Sequence, residues 1–290
     1  MTRLRTLAAT MVLLLAGCGD PAPVGGGGVP GAAVNYRPDE LVLRVDVSGG
    51  LVPVAMTVTE VPTLSIYGDG RVVTNGPMIE IFPGPALPNV QVQGILAPSD
   101  ITKLARMALD AGVGQATDFG MPNVADAPTT HIMVRTVAGT QASDIPALGI
   151  GEDSLSAPHR AARQRMQRLV EALTDLESTL GKGTVSESRP FVAKGVAAVA
   201  VPWAEMGGDQ GVPPQAPVAW PGPALPGEAV ADRPGVHCAG ATGEESSRIL
   251  AAAGKANSRT PWTSAGSSWQ VTFRPFLPDE STCADLAHRP

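Results

Sequence analysis

Asp126, Thr129, Thr130 and His131 fall within six residues of one another in VADAPTTH. An acid, two hydroxyls and an imidazole are the ingredients of a hydrolytic site, in which a base activates an oxygen nucleophile. Proximity along the chain is not triad geometry, and Asp126 reads more simply as the cap of the turn before Pro128. His131 alternates with Ile132 and Val134, which assigns it to the exposed, polar face of a strand. The other histidines, His159, His237 and His288, are scattered. The chain has no G-x-S-x-G, H-E-x-x-H, G-x-x-x-x-G-K or C-x-x-C, so no motif names a nucleophile, a metal or a phosphate. The residues therefore lean away from an enzyme: no catalytic residue, metal or other cofactor is assigned.

The cysteines carry more information. Cys18 closes Leu15-Ala16-Gly17-Cys18, behind Arg3, Arg5 and an apolar run from Leu7 to Leu15. A basic start, a short apolar stretch and small residues before the cut describe a secretory signal. A cysteine directly after them makes it a bacterial lipoprotein signal over 1–17, with Cys18 as the lipidated N-terminus. The apolar run is shorter than the ~20 residues that span a bilayer. Acyl chains such as palmitate, at roughly 0.8 kcal/mol per buried methylene, hold a protein at a membrane surface without a spanning helix. The expected location is thus the extracytoplasmic face of the cell membrane. Residues 18–36 contain PAPVGGGGVPGAA, a flexible Gly/Pro tether. Cys238 and Cys283 are then an even pair in an oxidising compartment and read as one disulfide. His237 beside Cys238 is the ingredient of a reactive thiol, but pairing with Cys283 removes that thiol.

Removing Arg3 and Arg5 with the signal leaves 19 basic against 27 acidic residues, a formal charge of −8. An acidic body argues against nucleic acid and against electrostatic adhesion to anionic lipid. The expected partners are the membrane, reached through the N-terminal lipid, and another envelope protein.

The hexapeptide PGPALP occurs twice, in FPGPALPN at Phe82 to Asn89 and in WPGPALPG at Trp220 to Gly227. Around the first copy, LVLRVDV alternates as a half-buried strand, and Gly68-Asp69-Gly70 turns a hairpin. NVQVQGIL is a further strand, and a helix follows over Asp100 to about Ala111, with Ser99 as N-cap and Gly112 as stop. HIMVRTVAG and QASDIPAL form a second hairpin. From about Pro158 a longer helix carries Ala162, Met166, Leu169, Leu173, Leu176 and Leu180 at spacings of four and three; this seam packs on the sheet or meets a partner helix. Its arginines, Arg160, Arg163, Arg165 and Arg168, precede Glu171, Asp175 and Glu177, the reverse of what the helix dipole favours. They are either a solvated face or a dock for an acidic partner.

GKGTVSESR then reads as a linker over 182–190. Beyond it come a weakly β-like VAKGVAAVAVPW, the second PGPALP, the strand VHCAGA and a helix opened by a Thr242–Glu245 capping box. A last hairpin turns at Ala265-Gly266. The expected fold is α+β: two related units, 37–181 and 191–290, each an antiparallel β-sheet with a helix packed on it, the first with an additional long C-terminal helix and the second with the disulfide. Within the repeat, Phe82 or Trp220 plugs the core and Leu87 or Leu225 packs beneath prolines that stiffen a crossover. In the other reading, Phe82, Pro85, Leu87, Trp220, Pro223 and Leu225 are displayed to a partner, together with Arg160 and Arg163.

LVLRVDVSGGLVPV, YGDGRVV, VAWPGPALPGE and the ending TPWTSAG followed by WQVTFRPFLPDE and a cysteine resemble a family of secreted lipoproteins of high-GC actinobacteria. The resemblance implies an address and an architecture, with no catalytic residues. The functional expectation is a lipid-anchored envelope binding or scaffold protein. The alternative is an inhibitor of secreted peptidases that offers a proline-rich loop, and the third reading is a lipid-anchored hydrolase.

Overall fold

The chain alternates strands and helices, and its computed structural model describes residues 35–78, 80–204, 215–231 and 233–287. The lipobox, the tether through residue 34 and His288 lie outside the described residues. The first half runs β1 (Leu41–Ser48), α1 (Val54–Thr59), β2 (Leu64–Tyr67), β3 (Arg71–Asn75), β4 (Val90–Gly94), α2 (Pro98–Ala111), β5 (Thr129–Thr136), β6 (Gly139–Pro146), α3 (Ala157–Thr174) and α4 (Leu176–Leu180). There follow β7 (Arg189–Pro190), β8 (Gly195–Pro202), β9 (Val218–Ala219), β10 (Glu228–Ala229), β11 (His237–Thr242), α5 (Gly243–Ala253), β12 (Trp262–Ser264), β13 (Ser267–Pro275) and the short α6 (Ala284–Ala287).

Two antiparallel-rich sheets result, so the fold is α+β. The first has strand order β6-β5-β1-β2-β3-β4-β7, the second β10-β11-β8-β13-β12-β9. Among the described residues only the β12–β9 pair is parallel. The strand orders differ: β4, the strand after the first PGPALP, lies three positions from β1, whereas β11, after the second, sits directly beside β8. The expected duplication therefore does not extend to sheet topology.

Local chemistry sets the helix ends. α2 begins at Pro98 behind an extended Ala97, so Ser99 is inside the first turn and is not the N-cap. Proline at the first helical position sacrifices no hydrogen bond, because that N–H has no intrahelical partner. Gly112 stops α2 in the left-handed conformation, φ 104°. Ser156 caps α3 by accepting from His159 N–H, and Asp175 ends α3 and caps α4 in turn.

The described residues belong to one compact unit. On one face of the first sheet, Leu43, Val45, Ile66, Val72, Ile132 and Val134 meet the α2 stripe and Met166, Leu169 and Leu173 of α3. The opposite face, with Tyr67, Val73, Val90 and Val92, is covered by Leu277 from the far end of the chain. The second sheet is also covered twice. Val196, Ala198, Ala200 and Phe273 face Ile249 of α5, while Ala197 and Val199 face Val58 of α1 and Leu286 of α6. The expected linker is drawn into the first sheet: Val185 bridges Ile95, and β7 pairs with β4.

The tail also ties the halves by polar contacts. Asp279 accepts from Tyr67 Oη at 2.7 Å and from Arg44 Nη2 at 2.9 Å. Burial, with a smaller contribution from the Asp279 charge, pushes the Tyr67 phenol far above its ordinary range against the opposing pull of the Arg44 cation. A phenol with a raised folded-state pKa contributes stability that is fully present below about pH 10 and is lost as pH rises toward the folded value. Stability therefore falls above pH 10, by at most ~1.4 kcal/mol per pH unit from this group. Tyr67→Phe should flatten that slope in urea titrations between pH 9 and 11, and an unchanged slope would contradict the assignment.

Candidate functional site

A cavity of about 780 Å3 opens where the two halves meet. Asp39 and Arg71 of the first half form one wall. Phe191 to Gly195, running from β7 into β8, form the floor. The first turn of α5 and Phe276 to Leu277, Pro278, Glu280 and Ser281 of the tail complete it. The lining joins an apolar strip, Phe191, Val192, Phe276, Leu277 and Pro278, to a polar rim that includes Lys194, Ser246 and Ser247.

The rim is held firmly. Arg71 binds Asp39 in a short ion pair and Asp69 through Nε at 2.6 Å, and its guanidinium stacks 5.7 Å from the centre of the Tyr67 ring. The Arg71 hydrogen bond keeps the Asp39 carboxyl below the usual carboxylate range. Opposite, Ser246 Oγ donates to Lys194 O at 3.2 Å and to Gly243 O at 2.8 Å, locking α5 to the β7–β8 connection. The expected capping box does not form: Thr242 makes no side-chain cap hydrogen bond. Gly243 N–H instead donates to Lys194 O at 3.3 Å, so the chain, rather than a side chain, supplies the partner.

The repeated hexapeptides lie elsewhere, and both reach one core. Leu225 is buried, and Ala86, Leu87 and Trp220 pack against the same cluster beneath α5. Trp220 stands edge-on to Trp262 at 5.5 Å and donates from Nε1 to Pro223 O at 2.6 Å. Pro85 bridges Asn257, which brings the first copy across to the second half. The expected role of Phe82 as a core plug is corrected: it is 67% exposed, with Arg259 over its ring at 5.7 Å. A proline before each leucine fixes the crossover, and the residue after the second copy is dictated by space. Gly227 has φ 81°, and a Cβ there would sit 2.2 Å from Cys238 O. Gly227→Ala should lower stability by roughly 3 kcal/mol, as overpacking does; an unchanged urea midpoint would rule out this close approach.

Arg163 and Leu225 are corrected as partner-binding residues. Arg163 is fully buried, donating to Glu152 Oε1 at 2.9 Å and to the Pro146 and Ala147 carbonyls at 2.8 and 2.5 Å. Those acceptors, on a turn packed over the helix N-terminus, explain why an arginine stands there against the dipole. Arg160 also turns inward, to Leu155 O. His131 is not at an exposed strand position: its side chain is 13% exposed and paired on both ring nitrogens. Cys238 and Cys283 form the expected disulfide. Among the described residues no group of three or more His, Cys, Asp or Glu is arranged to hold a metal.

The cleft itself was not legible residue by residue. Its floor begins just beyond the expected linker and its walls come from segments about two hundred positions apart, so no local pattern in the sequence pointed to it. Comparisons with protein-family models, with curated proteins and with solved structures find no match to this chain.

Proposed function

We propose that this is a lipid-anchored envelope protein that binds an amphipathic small molecule in the cleft between its halves. The observation that carries the reading is the cavity of about 780 Å3, within the range of small-molecule sites, which join an apolar lining to a few placed polar groups. Phe191, Val192, Phe276 and Leu277 would take the apolar part of the ligand, and Lys194 and Ser247 its polar end. The address rests on Leu15-Ala16-Gly17-Cys18, and among the described residues no helix is long and apolar enough to cross a membrane. Peptidase inhibition draws no support from loops whose leucines pack into a core.

The test is photo-crosslinking in living cells with the probe at Val192, an exposed residue of the cleft lining, and at Val137, in the β5–β6 turn, as control. A discrete adduct of small mass at Val192 alone is expected. A protein adduct at Val192 would replace the small molecule with a macromolecular partner, and no adduct would remove the cleft from consideration. Cys18→Ala is expected to release the protein from the membrane pellet; retention there would contradict the lipid anchor.

A further inference from the structure

A line of hydrogen bonds crosses three neighbouring strands of the first sheet. Ser48 Oγ lies 3.0 Å from His131 Nε2, and His131 Nδ1 lies 2.8 Å from Asp144 Oδ1. The register produces it. His131 of β5 stands opposite Asp46 of β1 on one side and Asp144 of β6 on the other, and Ser48 is two residues beyond Asp46. Side chains two apart on a strand share a face, so β1 supplies the hydroxyl, β5 the imidazole and β6 the carboxylate. Ser48 and His131 open on a cavity of about 250 Å3, closed by Thr57, Glu60, Arg233 and Leu286. It shares no lining residue with the larger cleft.

We infer that Ser48, His131 and Asp144 are a nucleophilic relay that hydrolyses short-chain acyl esters of polar alcohols. The inference goes beyond ligand binding and does not depend on it. Asp144, 63% exposed, accepts from Nδ1–H and so fixes the tautomer whose Nε2 accepts the Ser48 proton. Ser48 Oγ bonds to the ester carbonyl carbon while its proton passes to Nε2. The bond from that carbon to the alcohol oxygen then breaks, and the alcohol leaves with the proton from Nε2. Water, deprotonated by the same nitrogen, attacks the acyl-serine, releases the carboxylic acid and restores the Ser48 hydroxyl.

A second observation points into the same cavity. Arg233 lines it, and its Nε is buried with no hydrogen-bond partner among the described residues. A fixed cation beside the reacting carbonyl stabilises the oxyanion of the tetrahedral intermediate. The cavity volume admits a short acyl chain, and Asp46, Thr57 and Glu60 around it favour a hydroxylated alcohol over an apolar one.

The test uses the full-length chain, a fluorophosphonate probe and p-nitrophenyl acetate. Labelling is expected at Ser48, with loss in Ser48→Ala and in His131→Ala. Turnover should fall by roughly 10^3-fold or more in Ser48→Ala. Asp144 acts through His131 as a positioning residue. Asp144→Asn should lower kcat by at least ~10^2-fold with KM unchanged, and remove a low-field Nδ1 proton resonance that Ser48→Ala retains. If Ser48→Ala does not fold, Ser48→Cys, with a side chain of similar shape, should exchange fluorophosphonate labelling for rapid alkylation by iodoacetamide. A probe that leaves Ser48 unmodified, hydrolysis that survives Ser48→Ala, or an inert Ser48→Cys thiol would each overturn the assignment.

Discussion

Arg274→Met lowers the stability of the folded protein by about 3–5 kcal/mol, the cost of leaving one member of a buried ion pair without the other. Arg274 lies near the end of β13 with its side chain fully buried, and Glu280, its partner at 3.2 Å, is 2% exposed. The guanidinium also donates from Nε to Glu60 O at 3.2 Å and from Nη1 to Pro275 O. The second Glu280 oxygen accepts from Leu277 N–H at 2.9 Å. One side chain thus joins the segment after α1 to the tail that covers the first sheet. Methionine keeps the volume of the stem but removes the cation from a buried carboxylate. Arg274→Met/Glu280→Leu should recover much of the loss, because an apolar pair of similar volume carries no uncompensated charge. Urea unfolding of the three proteins measures both quantities; a single-variant loss below ~1 kcal/mol would contradict the buried-pair reading.

Cys283→Ser should cost about 4 kcal/mol, the chain-entropy value for a loop closed by partners 45 residues apart. The disulfide joins β11 to the residue just before α6. Between β13 and that cysteine lie Leu277, which covers the first sheet, and Asp279, which binds Arg44 and Tyr67; just after it Leu286 packs on the second sheet. The same tail therefore depends on two fastenings, the disulfide and the Arg274–Glu280 pair. Residues that hold one element couple, so the double variant Arg274→Met/Cys283→Ser should depart from additivity by more than ~0.5 kcal/mol. Strict additivity would show that the two fastenings act independently.

What the sequence conveyed follows from how each element is buried. β1 has one face toward α2 and α3 and the other toward the polar contacts, so LVLRVDV alternates visibly. β8 is buried on both faces, so GVAAVAVP cannot alternate, and its alanines, which let neighbouring layers approach, weaken the strand signal further. α1 was missed because six residues behind a proline, with no side-chain cap, carry too little periodicity to register. The hairpin at Gly68-Asp69-Gly70, the stop at Gly112 and the cysteine pairing are local or forced by count, and were readable.

The sites were less legible because they are products of register. Ser48, His131 and Asp144 are separated by 83 and 13 positions; only the strand pairing brings them into line. The nearby acid that sequence proximity offered, Asp126, sits in a left-handed turn, φ 55°, and takes no part. Arg163 had a legible signal, a cation at the wrong helix end, but the signal pointed inward to carbonyl acceptors rather than outward to a partner. The repeated PGPALP marked a shared packing role, since Leu87 and Leu225 reach the same core from different halves of the chain.

The cleft as a ligand site is tested most directly by native mass spectrometry of the full-length protein taken gently from its own membranes. A discrete mass of small-molecule size is predicted on the wild type and absent from Ser247→Trp, whose indole would fill the cleft beside α5. Identical spectra for the two proteins, with or without an added mass, would contradict the account.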